Sequence, residues 1–261
     1  MSLKKLRQFD PQEILHAYGY DATNNEIYIQ GAADYAAGCL GDEVYEEPGV
    51  EYIMANRFVI NMQMALAAGK DGNSYKPLLI HMKTNGGDWN QGIAMYDLVK
   101  SYPGHVTIVN YTYARSMSSL LFQAADRRIM FPNSDFMFHE GDYGDSGTMK
   151  AVKSNLAFYT TKDDVMLDIY VHQLRRKGLF KDKPKKDIKK WLQDQMDKKE
   201  NVWLNSRQTV EHGFADELFT SWKSVRDPNK NIVQVKEEPH VTRGHKGLKR
   251  KDRCKRSPRR I

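Results

Sequence analysis

The chain is poor in cysteine: Cys39 and Cys254 are the only two in 261 residues. A pair so far apart, with one member in a charge-rich segment, excludes a disulfide framework and a cysteine-based metal site. Long apolar runs are missing as well, and none approaches the ~20 residues that span a bilayer. The opening MSLKKLRQFDPQE carries Lys and Arg but not the apolar core of a secretory signal. No glycine-rich phosphate loop with its lysine is present, so no nucleotide or other cofactor is expected in the chain itself. These absences point to a cytoplasmic protein without membrane, metal or disulfide.

Acidic charge is scarce at one end. Between Thr242 and Ile261, ten Lys and Arg stand against the single acid Asp252. That segment holds +9 of an overall +7, which leaves residues 1–241 at −2. The basicity belongs to a tail, not to the globular part. Few apolar residues follow Asp227, and the composition predicts disorder from about Lys236 onward. Such a tail suits solvated disorder, weak nonspecific contact with nucleic acid, or docking to a capsid or other partner. It has no interleaved aromatics for base stacking.

What remains alternates strands and helices, which reads as one α/β domain. Glu26–Gln30 alternates like a short strand, and an acidic, glycine-bearing insertion follows from Gly38 to Glu51. Tyr52–Ala68 has apolar residues at helical spacing and stops at Gly69. Pro77–Met82 is the near-continuous apolar run of a buried parallel strand. Gln91–Ser101 reads as a helix, Val106–Tyr111 as a strand, and Thr148–Lys177 as one long helix rich in exposed-looking apolar residues. Ile188–Met196 and Arg207–His212 complete the helical segments. The organisation is an N-terminal segment (1–25), one folded domain (26–226) and a basic tail (227–261).

The stretch from Leu79 to His139 carries the chemistry. The first strand runs into Gly86-Gly87, the second into Ser116 at the start of an apolar helix, and the third ends on His139. Three strand ends thus supply bare backbone N–H groups, a hydroxyl and an imidazole, the parts of an acyl-transfer site. Each part has an ordinary alternative. A serine at a helix start caps it, a Gly-Gly pair makes a tight turn, and a histidine at a strand end is often structural.

Gly86-Gly87, Gly92 with Tyr96-Asp97, Arg115-Ser116-Met117, Phe131-Pro132-Asn133-Ser134 and Met137-Phe138-His139 follow one another in a specific order. On these residues the chain resembles the Clp protease proteolytic subunits from about Glu26 to Leu218. The phage prohead proteases of the same superfamily are similar too. The resemblance implies the ClpP/crotonase-type α/β fold, a superhelix of repeated β-β-α units, with the long helix as a handle between rings. It implies Ser116 as nucleophile, His139 as general base, and the Gly87 and Met117 N–H groups as oxyanion hole. Asn201 stands where the family carries aspartate, with Glu200 and Asp197 as nearby substitutes. The implied partners are protein or peptide substrates, further copies in a ring and an AAA+ unfoldase, in the cytoplasm of a host or, for a phage protein, in the virion.

The chain departs from the family pattern at Asn201, at Arg115 in place of a small residue, and at Thr84-Asn85 where a proline usually precedes the glycines. Arg115 suits four roles: helping to form an electropositive site, binding a substrate carboxylate, pairing with Glu140, or obstructing the oxyanion hole. A phage prohead maturation protease of the same chemistry is the first competing reading, and a catalytically silent structural or regulatory subunit is the competing reading from another class. Crotonase-type acyl-CoA chemistry is a third, which the Ser116/His139 pair disfavours.

Overall fold

A computed structural model describes residues 18–30, 49–72 and 74–230, together with Gln12 and Leu15. The acidic insertion between residues 38 and 48 and the tail beyond residue 230 lie outside the described residues.

The spine is a sheet of eight strands. β1 (Tyr20–Asp21) pairs antiparallel with β2 (Glu26–Gln30), and β2 pairs in parallel with β5 (Leu78–Thr84). β5 pairs with β6 (Val106–Arg115), β6 with β7 (Arg127–Met130), and β7 with β10 (Glu217–Leu218), all in parallel. The short antiparallel pair β3 (Lys70–Asp71) and β4 (Ser74–Tyr75) stands apart. β5 is buried at six of its seven positions, which explains its unbroken LLIHM run: a strand covered on both faces has no polar side.

β6 decides the position of the site. Its first half, Thr107–Asn110, pairs with β7, and its second half, Tyr113–Arg115, pairs with β8 (Asp135–Phe138). β8 in turn pairs antiparallel with β9 (Val202–Asn205). One ten-residue strand thus belongs to two diverging groups of neighbours and ends where they part. The sequence reading closed this strand at Tyr111; the four further residues carry it up to Ser116.

Helices cover the sheet. They are α1 (Tyr52–Ala68), α2 (Trp89–Ser101), α3 (Met117–Phe122), α4 (Met149–Leu174), α5 (Lys185–Lys198), α6 (Ser206–His212) and α7 (Trp222–Val225). α1 starts with the Glu51 carboxylate accepting the N–H groups of Ile53 and Met54, an anion placed on the positive end of the helix dipole. α4 starts on Thr148, whose hydroxyl accepts the Ala151 N–H at 3.3 Å. α6 is closed by a reciprocal capping box between Asn205 and Gln208 and ends on Gly213 in the left-handed region. The core runs between sheet and helices through Phe58, Phe122, Phe136, Phe138, Tyr170 and Phe214, all fully buried. None of the described helices is long and apolar enough to cross a membrane.

Ion pairs tie the C-terminal elements to the sheet. The Arg128 guanidinium bridges both oxygens of Asp216 at 3.0 Å. Burial alone would raise the Asp216 carboxyl, but the charge and hydrogen bonds of Arg128 outweigh it and hold it below the ordinary carboxylate range. On the far side of the sheet, Glu26 accepts from His81 Nε2 at 2.9 Å and from Arg226 Nε at 2.9 Å.

Candidate active site

β6 delivers Ser116 into the turn before α3 with φ +50° and ψ −127°. This is a strained conformation for a residue with a side chain, and it persists only where the surroundings over-determine it. Here they do. The Ser116 N–H donates to Met137 O at 3.0 Å, and its carbonyl accepts from the Ser119 hydroxyl at 2.5 Å. Two residues on, the Ser118 hydroxyl donates to Thr84 O at 2.7 Å and binds the turn to β5. The Ser116 hydroxyl makes no capping bond to α3. It lies 2.7 Å from His139 Nε2 instead. The ordinary alternative for this serine, a helix cap, does not hold.

His139 follows Phe138 at the end of β8 and is half-buried, as is Ser116. Among the described residues its Nδ1 has no hydrogen-bond partner. β8 and β9 pair Phe138 with Val202 and Met137 with Trp203, and the same register sets Asn201 opposite His139. Asn201 is nevertheless exposed and makes no hydrogen bond to the imidazole. The fold therefore brings Ser116 and His139 together and leaves Asn201 beside them without contact.

The Gly-Gly turn packs directly on Ser116. A Cβ on Gly86 (φ +96°) would stand 2.4 Å from Arg115 O, 2.8 Å from Ser116 Cβ and 2.9 Å from Met117 N. Only glycine permits that approach. The bonds of the turn, Val50 N–H to Gly86 O at 2.6 Å and Asp88 N–H to Val50 O at 2.8 Å, leave the Gly87 N–H uncommitted. The Met117 N–H, first in its helix, has no intrahelical acceptor. On α2, Gly92 makes room for Met117: a Cβ there would meet its Cγ at 2.0 Å.

These groups open onto a cavity of about 520 Å³ lined by Gly87, Ser116, Met117 and His139 on one side. Residues of α4 and of the loop after β8 line the other, among them Leu156, Lys162, Asp163, Met166, Glu140 and Asp142. Burial pushes the Asp163 carboxyl up, and the neighbouring charges of Glu140 and Asp164 push it further. Burial pulls the Lys162 ammonium down, partly offset by Asp88. The sequence reading gave α4 to assembly and did not see it as a wall of the site. Helical phasing could have signalled this, because Leu156, Asp163 and Met166 recur about two turns and one turn apart.

Of the roles anticipated for Arg115, the pairing with Glu140 is not made. Its guanidinium grips Asp135 through Nε at 2.8 Å and Nη2 at 2.6 Å, reaches Asn85 at 3.2 Å, and stacks on the rings of Tyr113 and Trp203. It clamps β6 to β8 and β9 behind the serine. Among the described residues, no group of His, Cys, Asp and Glu could hold a metal ion.

The Clp protease family model matches residues 48–221. The ATP-dependent Clp protease proteolytic subunit 2 of Thermobifida fusca is 27% identical over 188 residues, which is 71% of this chain and 81% of that protein. The corresponding subunit 2 of Treponema denticola is 24% identical over 152 residues, 58% and 70% of the two chains. The proteolytic subunit of Streptococcus sanguinis is 26% identical over 173 residues, 65% and 80%.

Proposed function

The chain belongs to the Clp protease family, and on that premise we propose that it is a serine endopeptidase working through Ser116 and His139. The 2.7 Å contact between Ser116 Oγ and His139 Nε2, on a backbone held at positive φ, carries this reading. Ser116 Oγ attacks the peptide carbonyl while His139 takes its proton. The tetrahedral oxyanion is received by the N–H groups of Gly87 and Met117, both free to donate. His139 returns the proton to the leaving amine, and water then resolves the acyl-enzyme by the same route. Asn201 orients the imidazole by accepting the Nδ1 proton on its amide oxygen once a side-chain rotation closes the gap. An amide offers no negative charge to the imidazolium, so turnover is slower than with a carboxylate.

A ring of like subunits fits the apolar side chains left exposed on two helices, Tyr52 and Ile60 on α1 and Leu156 and Phe158 on α4. Such a ring, in the cytoplasm or in a phage assembly, would take unfolded chains or short peptides, with an AAA+ unfoldase supplying the former. The unengaged Asn201 favours one second reading, a catalytically silent subunit of such a ring. Intact-mass measurement after treatment with a fluorophosphonate separates the two. One adduct on the wild type and none on Ser116→Ala is the expected result; no adduct on folded, assembled protein sinks the peptidase reading.

A further inference from the structure

Three carboxylates line the cavity beside Ser116 without a partner: Asp163 from α4, and Glu140 and Asp142 from the loop after β8. None accepts a hydrogen bond or forms an ion pair among the described residues. Asp88, also at the cavity, is engaged by the Gln91 N–H at 2.9 Å. Lys162 is the one ammonium among the lining residues, and it is held against ring faces without an ion-pair partner among the described residues. It sits 4.0 Å from the centre of the Tyr159 ring, 5.2 Å from Phe158 and 6.0 Å from Trp89, and reaches Asn90 at 3.4 Å. The cavity therefore combines uncompensated negative charge with an apolar wall of Leu120, Leu156 and Met166.

We propose that this cavity selects a lysine or arginine side chain on the acyl side of the scissile bond, with Asp163 as its counter-charge and Glu140 beside it; this rests on the peptidase reading above. The methylene stem lies along Leu120 and Met166, and the cationic head stays at the polar rim, the amphipathic division that long basic side chains favour. Asp163 is half-buried between Glu140 and Asp164, so its charge is held at a cost that an arriving cation relieves.

The test uses peptidyl diphenyl phosphonates that differ only in the side chain next to phosphorus: lysine-like, leucine-like or glutamate-like. Ser116 Oγ forms the bond to phosphorus, phenol leaves with the serine proton passed through His139, and the second-order rate reads selectivity at the bond itself. Each rate is divided by that of a fluorophosphonate without a peptide side chain on the same protein, which corrects for changes at the dyad. The lysine-like reagent should outrun the leucine-like one by about tenfold or more, the worth of one charge-assisted contact. That ratio should shrink in high salt and collapse in Asp163→Asn. Glu140→Gln, at the exposed rim, should reduce it by a smaller factor and provides a second variant if Asp163→Asn folds poorly. Equal or faster reaction of the leucine-like reagent on protein that takes the fluorophosphonate overturns the cation preference and leaves the peptidase reading standing. Absence of the fluorophosphonate adduct overturns both.

Discussion

Among the described residues three histidines touch a hydroxyl, His81, His105 and His139, and the fullest constellation is at His81, away from the cavity. His81, on β5, lies 2.6 Å from the Tyr111 hydroxyl through Nδ1 and 2.9 Å from Glu26 through Nε2. It is stacked on Tyr28 at 4.1 Å and is 3% exposed. Among the described residues His139 has only the Ser116 hydroxyl, with no carboxylate behind it. A parts count would choose His81. Physical context chooses His139: a cavity, a strained serine, two uncommitted N–H groups and half-exposure. At His81 every polar atom is matched and packed under Trp222, so the cluster holds α7 and Arg226 against β2 and β5. Satisfied polar groups stabilise; unsatisfied ones held in place perform chemistry.

The comparison breaks most sharply at the hydroxyls. Ser116→Ala should abolish fluorophosphonate labelling and lower peptide hydrolysis by about four to six orders of magnitude, with its melting temperature close to that of the wild type. Glu26→Ala should do the reverse. It strands the buried His81 and removes the partner of the solvent-exposed Arg226, and should cost about 3 kcal/mol of stability in a denaturant titration, while the folded fraction still labels at Ser116.

Acid sharpens the same contrast. Burial would raise the Glu26 carboxyl, but the hydrogen bonds from His81 and Arg226 hold it below the ordinary range. A carboxylate depressed in the folded state contributes stability above its unfolded pKa and loses it as pH falls through the folded one. Stability should therefore drop as pH falls below about 4.5, and Glu26→Gln should flatten that slope while the Asp216 share remains.

Gly86→Ala comes next in size, because the added methyl meets the Arg115 carbonyl on a residue at φ +96°. We expect a loss of about 2 kcal/mol in stability together with most of the labelling rate. The smallest change completes the weaker constellation. Asn201→Asp sets a carboxylate opposite His139 in the strand register and should raise the labelling rate by about tenfold, or 1.4 kcal/mol in barrier. No rise would mean that His139 works without a third group.

Much of the fold was legible because periodicity records burial. Helix Tyr52–Ala68 and strand Glu26–Gln30 coincide with their patterns to the residue. Strand β9 was not legible, since four residues with Val202 and Leu204 inward and Trp203 and Asn205 outward are too few to separate from chance. The contact between Ser116 and His139 was expected from motif order. Arg115 could not be read in advance: its partner Asp135 is 20 residues away and arrives only through the parallel pairing of β6 with β8. Asp163 was hidden differently, in a helix whose apolar excess drew attention to its outer face.

The seat of Met117 against Gly92 adds a chemical vulnerability. The thioether occupies the space that a Cβ on Gly92 would need, and the N–H of the same residue is the proposed oxyanion donor. Peroxide would convert that sulfur to a sulfoxide, larger and polar, with nowhere to go but against α2 or back toward Ser116. An oxidant would then silence the proposed peptidase with the serine and histidine untouched, and a sulfoxide reductase would restore it.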